Sequence, residues 1–233
     1  MDTSRALLRP LLTPRIQTVV ERLYRETLAE DPAAREAASK LGLLSDADAG
    51  FYPAMRNARL PVVPEFAALL HVLARATGAR LVVEFGTSFG VSTICLAAAL
   101  RDNGGGRVVT TELVPEKARQ AHLNLIEAGL EDLVDIRVGD ARSTLAEAFD
   151  RPIDMLFLDA TKGLYLQILK LVEPQLRSGA LVISDRSDLD EDPTVRDAGY
   201  LAHVCDPANG YRFSSIGTRA LGRGFEHAIA VRC

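Results

Sequence analysis

Glu84-Phe85-Gly86-Thr87-Ser88-Phe89-Gly90-Val91-Ser92-Thr93 is the stretch on which the fold of this chain turns. It continues an apolar run, Leu81, Val82 and Val83, and leads into a helical pattern over residues 91–100. A strand that ends on glycine and opens a helix brings a tight turn, free backbone N–H groups and a helix N-terminus to one point. Gly86, Thr87, Ser88, Gly90 and Ser92 are therefore candidate ligand contacts. The dinucleotide fingerprint is G-x-G-x-x-G, whereas the spacing here is E-x-G-x-x-x-G. Glu84 beside the turn would repel a pyrophosphate. A zwitterionic amino-acid tail would not suffer that penalty. The turn taken alone leaves a nucleotide open.

Outward from this stretch, strands and helices alternate. A helix over 64–76 precedes the first strand at 81–85. Strands at 108–111, 134–138, 153–158 and 180–184 follow, with helices at 91–100, 115–128 and 162–172. Each strand is short and almost wholly apolar, as required when helices cover both faces. The repeated order predicts an α/β fold with a doubly wound, mostly parallel, Rossmann-like sheet. After Tyr211 the pattern changes, and 212–216 with 227–231 read as an antiparallel edge.

Upstream, Ile16, Val19, Val20, Leu23 and Leu28 recur at helical spacing. A second, alanine-rich helix is expected after Pro32, and 45–64 reads as irregular. Residues 1–60 are thus expected to form an N-terminal helical cap on the same domain as the ligand-binding residues 61–233.

Composition narrows the function. A chain of 233 residues, 48% hydrophobic, suits one large domain with a sizeable core. The formal net charge of -4 argues against a nucleic-acid partner, because phosphate binding calls for a basic excess. Cys95, Cys205 and Cys233 are widely spaced, which signals neither disulfides nor zinc. No apolar run approaches the roughly 18 residues of a membrane span, and no signal-peptide core is visible. A cytoplasmic protein with reduced thiols and no membrane partner is expected.

Two further strand ends carry acids. Glu112 follows the second strand, where a carboxylate can accept both hydroxyls of a ribose. Asp140, after the third strand, can accept from an adenine amino group while the Ala141 N–H meets a ring nitrogen. Ligands of open α/β sheets bind at this carboxyl edge.

With these pieces quoted, residues 55–232 resemble the catechol O-methyltransferase-like group of class I methyltransferases. The likeness rests on Glu84-Phe85-Gly86-Thr87, Gly90-Val91-Ser92-Thr93, Thr111-Glu112, Asn124-Leu125, Ala128-Gly129-Leu130, Gly139-Asp140-Ala141, Phe157-Leu158-Asp159-Ala160-Thr161-Lys162 and Gly179-Ala180-Leu181. It implies a seven-stranded sheet with an antiparallel last strand, S-adenosylmethionine as cofactor, and a homodimer. It also implies cofactor contacts at Glu84, Gly86, Thr87, Ser92, Glu112, Asp140, Ala141 and Asp159, with Val63 and Met55 at the pocket's edge. The matching lysine, Lys162, becomes the candidate general base for a hydroxyl on a small-molecule acceptor.

One position departs from the family. Metal-dependent members carry an aspartate after the fourth strand and Asp-Asn after the fifth; this chain has Asp159, then Asp185-Arg186. Asparagine offers an oxygen to a hard cation, whereas arginine offers only donors and a fixed charge. A divalent metal is therefore doubtful, and Arg186 is expected to bridge Asp159 and Asp185 in its place. The alternative is that Arg186 swings outward and an acid of the run Asp188, Asp190, Glu191 or Asp192 completes a metal site; that run reads as a solvated loop. Tyr165, His203, Tyr52 and Arg56 are further pocket candidates. Competing functions are a tRNA-modifying methyltransferase, a cofactor-binding protein without transfer activity, and a nucleotide-dependent oxidoreductase.

Overall fold

The computed structural model describes residues 8, 10–43, 50–188, 199–220 and 223–233; the side chains of 186–188, 219–220 and 223–225 lie outside that description. Seven strands form one sheet: β1 (Leu81–Phe85), β2 (Arg107–Glu112), β3 (Val134–Val138), β4 (Ile153–Leu158), β5 (Leu176–Asp188), β6 (Tyr211–Ala220) and β7 (Arg223–Arg232). Their order is β3-β2-β1-β4-β5-β7-β6. The first five pair in parallel, and β7 runs antiparallel to both β5 and β6. The order reverses between β1 and β4, which opens a crevice at their carboxyl ends.

The described α-helices are α1 (Pro14–Lys40), α2 (Phe51–Ala54), α3 (Pro64–Ala76), α4 (Val91–Asp102), α5 (Pro115–Ala128), α6 (Ala141–Thr144), α7 (Tyr165–Val172) and α8 (Tyr200–Cys205). Successive strand residues enter opposite layers, as the pleat demands. Val82, Val108, Met155 and Phe157 pack with Leu23 of α1, Phe66 of α3 and Ile94 of α4. Val83, Val109, Leu156 and Leu158 pack instead with Tyr165, Ile168 and Tyr200. Helix α4 is buried at every residue from Val91 to Leu100. It is enclosed because the sheet lies on one side and α1 and α3 on the others. The cap is stitched into this layer: burying Leu23 fully contributes about 1.5–3 kcal/mol.

Three expectations need correction. The cap does not hold two long helices broken at Pro32; α1 is one helix of 27 residues with Pro32 inside it. Proline removes the bond to the carbonyl of Leu28, but Leu28 and Pro32 both face solvent, where water can serve that carbonyl. The helix expected over 162–172 starts with a 3-10 turn, Lys162–Leu164, before α7. Strands β5, β6 and β7 run longer than expected. Their hairpin pairs backbone from Tyr211↔Arg232 to Ala220↔Arg223, through residues such as Gly217 that carry no apolar signal. The 45–64 stretch holds only the short α2, while 44–49 and the acids Asp190, Glu191 and Asp192 lie outside the described residues. Among the described residues no helix is long and apolar enough to cross a membrane.

Candidate active site

A cleft of about 240 Å³ opens at the carboxyl ends of β1, β2 and β4. Its floor is the turn after β1. Gly86 has φ +110°, and a Cβ there would lie 2.2 Å from the carbonyl oxygen of Asp159, so only glycine lets β1 and the end of β4 approach this closely. The N–H groups of Gly86 and Thr87 both donate to the Thr111 carbonyl, at 3.2 and 3.0 Å, which ties the turn to β2. Ser88 adopts φ +48°, an uncommon conformation for a residue with a side chain. Its N–H donates to Glu112 Oε2 at 2.8 Å, and the Val114 N–H donates to Oε1 at 2.9 Å. Glu112 is thereby held with acceptor sites on both oxygens still available to the cleft. Burial pushes its carboxyl above the ordinary glutamate value, opposed by those N–H groups and by the Lys117 charge.

Gly86, Thr87, Ser88, Ser92, Glu112, Asp140, Ala141, Asp159 and Lys162 all line this one cleft. Sequence separations of up to 76 residues collapse to a single site, because each residue follows a strand of the same sheet edge. Asp140 also caps α6: its Oδ1 accepts from the Arg142 N–H at 2.9 Å, and the Arg142 guanidinium grips the same carboxylate. That grip holds the Asp140 carboxyl below its ordinary value. Asp159 behaves oppositely. Burial, then the nearby Asp185 and Glu84 charges, push its carboxyl well above the ordinary aspartate value, while Lys162 opposes them.

Several expected residues stand elsewhere. Glu84 does not line the cleft; it is wholly buried one residue before the turn, and Thr93 and Thr110 donate to its Oε2 at 2.5 and 2.7 Å. Its Oε1 is buried without a hydrogen-bond partner, and burial raises its pKa. Gly90 (φ +89°) is the N-cap of α4 and Val63 that of α3; neither lines the cleft, and Leu60, Pro61 and Val62 take the place expected of Val63. Met55 is fully buried with Ala38 and Ala58 instead of edging the pocket. Asp185 lies behind the lining, 3.2 Å from His227 Nδ1. The Tyr165 hydroxyl, in the core, donates to the Asp185 carbonyl at 2.7 Å. His203 sits 3.0 Å from Glu173, which precedes β5 at the opposite sheet edge. Tyr52 does line the cleft, and Arg56 is exposed outside it. The Arg186 side chain lies outside the described residues.

The sequence did not point to Arg59, Leu113, Lys117 and Arg142, which also line the cleft. Lys117 had a signal: it falls on the buried stripe of α5 with Ala121, Asn124, Leu125 and Ala128. Its pKa is lowered by burial, opposed by Glu112 and Asp31. Among the described residues no group of three or more His, Cys, Asp or Glu is placed to hold a metal ion.

Comparison with known proteins gives concordant findings. Residues 83–186 match a family model described as a methyltransferase domain. A catechol O-methyltransferase of Mycobacterium tuberculosis is 34% identical over 187 residues, covering 80% of this chain and 76% of the relative. The solved O-methyltransferase TomG of Streptomyces achromogenes, in complex with SAM, is 29% identical with TM-score 0.66, over 86% of this chain and 88% of its own. An O-methyltransferase of Bacillus cereus shares the fold over 100% of this chain and 98% of its own, with TM-score 0.72 at 24% identity.

Proposed function

Because the chain belongs to the catechol O-methyltransferase-like group of class I, S-adenosylmethionine-dependent methyltransferases, we propose that it methylates a hydroxyl of a small molecule in this cleft without a divalent metal. The observation that carries the reading is the convergence of the Gly86–Ser88 turn, Glu112, Asp140–Ala141 and Asp159–Lys162 on one cleft. The residues present fit the cofactor. Glu112 has acceptor sites for a ribose diol, and the Asp140–Ala141 corner has an acceptor beside a donor for an adenine edge. When bound, the cofactor supplies a methyl group activated for in-line displacement.

This chain's own residues then orient the acceptor and take its proton. Lys162, beside Asp159 at the mouth of α7, is the proposed proton acceptor at Nζ. Burial and then the neighbouring Asp185 charge raise the cost of ionising Asp159, and Arg186 is proposed to offset that charge. A catechol preference does not carry over from the relative, because its two oxygens call for a metal-like chelating centre. A single hydroxyl on an anionic acceptor suits Arg186 better. A homodimer and a cytoplasmic location complete the reading; the family supports the first and three free thiols the second. Calorimetry with S-adenosylmethionine and S-adenosylhomocysteine tests it. Micromolar binding that ignores magnesium is expected, and no binding of either ligand overturns it.

A further inference from the structure

One wall of the cleft is the segment Arg59-Leu60-Pro61-Val62, and helix α1 holds it from outside. The Tyr24 hydroxyl donates to the Val62 carbonyl at 2.9 Å, and the Arg59 guanidinium pairs with Glu26 and Glu30 at 2.9 and 3.1 Å. Asp31 does more. Its buried carboxylate accepts the Arg59 N–H on Oδ1 at 2.9 Å and the Leu60 N–H on Oδ2 at 2.8 Å.

Two successive N–H groups converge on one carboxylate only if the backbone turns sharply between them. Leu60 accordingly sits at φ +46°, a conformation disfavoured for a residue with a Cβ. The same turn aims the Arg59 carbonyl at Ser88, whose Oγ donates to it at 2.5 Å. Ser88, at φ +48°, is the only other non-glycine residue with positive φ among those described. Its N–H is the donor that fixes Glu112 Oε2. One hydrogen bond thus ties Ser88 to the peptide unit that precedes Leu60, with Asp31 at one end of the chain of contacts and Glu112 at the other. Strained backbone persists only where its surroundings over-determine it. Asp31 does not line the cleft.

We propose that Asp31 is a positioning residue for cofactor binding, acting through Arg59, Leu60 and Ser88 to hold Glu112 ready for a ribose. The inference rests on the cofactor reading above and names the element that pre-organises it. Removing Asp31 lets Leu60 relax to negative φ, withdraws the Arg59 carbonyl from Ser88, and frees Ser88 to release Glu112. Pre-organisation lost in this way appears as weaker binding with no contact to the ligand removed.

Calorimetric titration with S-adenosylhomocysteine tests it on the full chain and on Asp31→Ala, Asp31→Asn, Ser88→Ala and the Asp31→Ala/Ser88→Ala pair. Asp31→Ala is expected to raise Kd at least about tenfold, and Asp31→Asn, which keeps one acceptor oxygen, about threefold or more. The double variant is expected to bind no more weakly than the weaker single, because both changes cut the same chain of contacts. Arg15→Ala is the control: it frees α1 from the Ile126 and Glu127 carbonyls without touching the wall, and its Kd should stay within about twofold. Should Asp31→Ala fail to fold by circular dichroism, Asp31→Asn decides. Unchanged Kd in the folded Asp31 variants, or fold-changes that multiply in the double variant, overturns the inference while the cofactor reading stands. An unaltered chain that binds no S-adenosylhomocysteine overturns both.

Discussion

Replacing Glu112 by glutamine isolates the contact on which the cofactor reading rests most heavily. A carboxylate has about four acceptor sites. Ser88 N–H occupies one on Oε2 and Val114 N–H one on Oε1, at 2.8 and 2.9 Å, so each oxygen keeps a site for a hydroxyl. Glu112→Gln preserves volume but removes the charge and turns one oxygen into a group that only donates. Either amide orientation sets an NH2 against a backbone N–H and deprives one hydroxyl of its acceptor. A hydrogen bond to a charged group contributes about 1.5–3 kcal/mol. Losing one and weakening the other comes to about 2–4 kcal/mol, or an S-adenosylhomocysteine Kd raised about 30- to 700-fold.

The pH dependence follows with a definite sign. Burial holds the Glu112 carboxyl above the ordinary glutamate value in the free protein. Donation from two hydroxyls favours the ionised form, so the ligand lowers that pKa and binding releases a proton below it. Affinity is therefore flat above the free-protein value and falls as pH drops through it. Asp140, held below its ordinary value by Arg142, stays ionised there and adds no slope. Calorimetry across pH, with thermal unfolding as a check on the fold, reads both effects. A folded Glu112→Gln variant whose Kd stays within threefold of the parent refutes the assignment.

Lys162→Met should lower kcat by about 10²- to 10⁴-fold and leave S-adenosylhomocysteine affinity unchanged; a matching loss in binding would make Lys162 a ligand contact and not the proton acceptor. Methyl transfer should survive a chelator, whereas Arg186→Asn should make turnover depend on magnesium; full loss on chelation, restored by magnesium, sinks the metal-free reading. Asp154→Ala should destabilise the fold by about 2–4 kcal/mol in urea unfolding, since Asp154 accepts the Arg80 and Leu81 N–H groups at 2.8 and 2.9 Å and Arg177 Nε at 2.6 Å. Burial raises the Asp154 pKa, but those donors together outweigh it and set the folded value below the ordinary one. Its contribution is thus complete above the unfolded value of about 3.9 and is lost as pH falls through the folded value.

Much of the site was legible because its residues follow strands. A short, almost wholly apolar run that ends on Gly86, Glu112, Asp140 or Asp159 marks both the element and its carboxyl edge, and every parallel strand presents that edge to one crevice. Glu84 shows the limit of this logic. It is also a strand residue, but the pleat turns it into the core, where Thr93 and Thr110 receive it. Lys162 came from the family resemblance, while Lys117, equally part of the cleft, sits on a helix whose charged residues usually face water.

The sequence by itself determined the layers, the parallel half of the sheet and the line of acids along its edge, since these follow from local periodicity and from glycines with one steric purpose. Only the tertiary structure decided what holds that edge in place. Pro32 inside α1, Asp31 turned inward beside it, Leu60 and Ser88 in left-handed conformations, and Lys117 beneath Glu112 are each unremarkable or unfavourable in isolation. Their energies are set by partners 28 or 29 residues away, and contacts at that range leave no period in the chain that makes them.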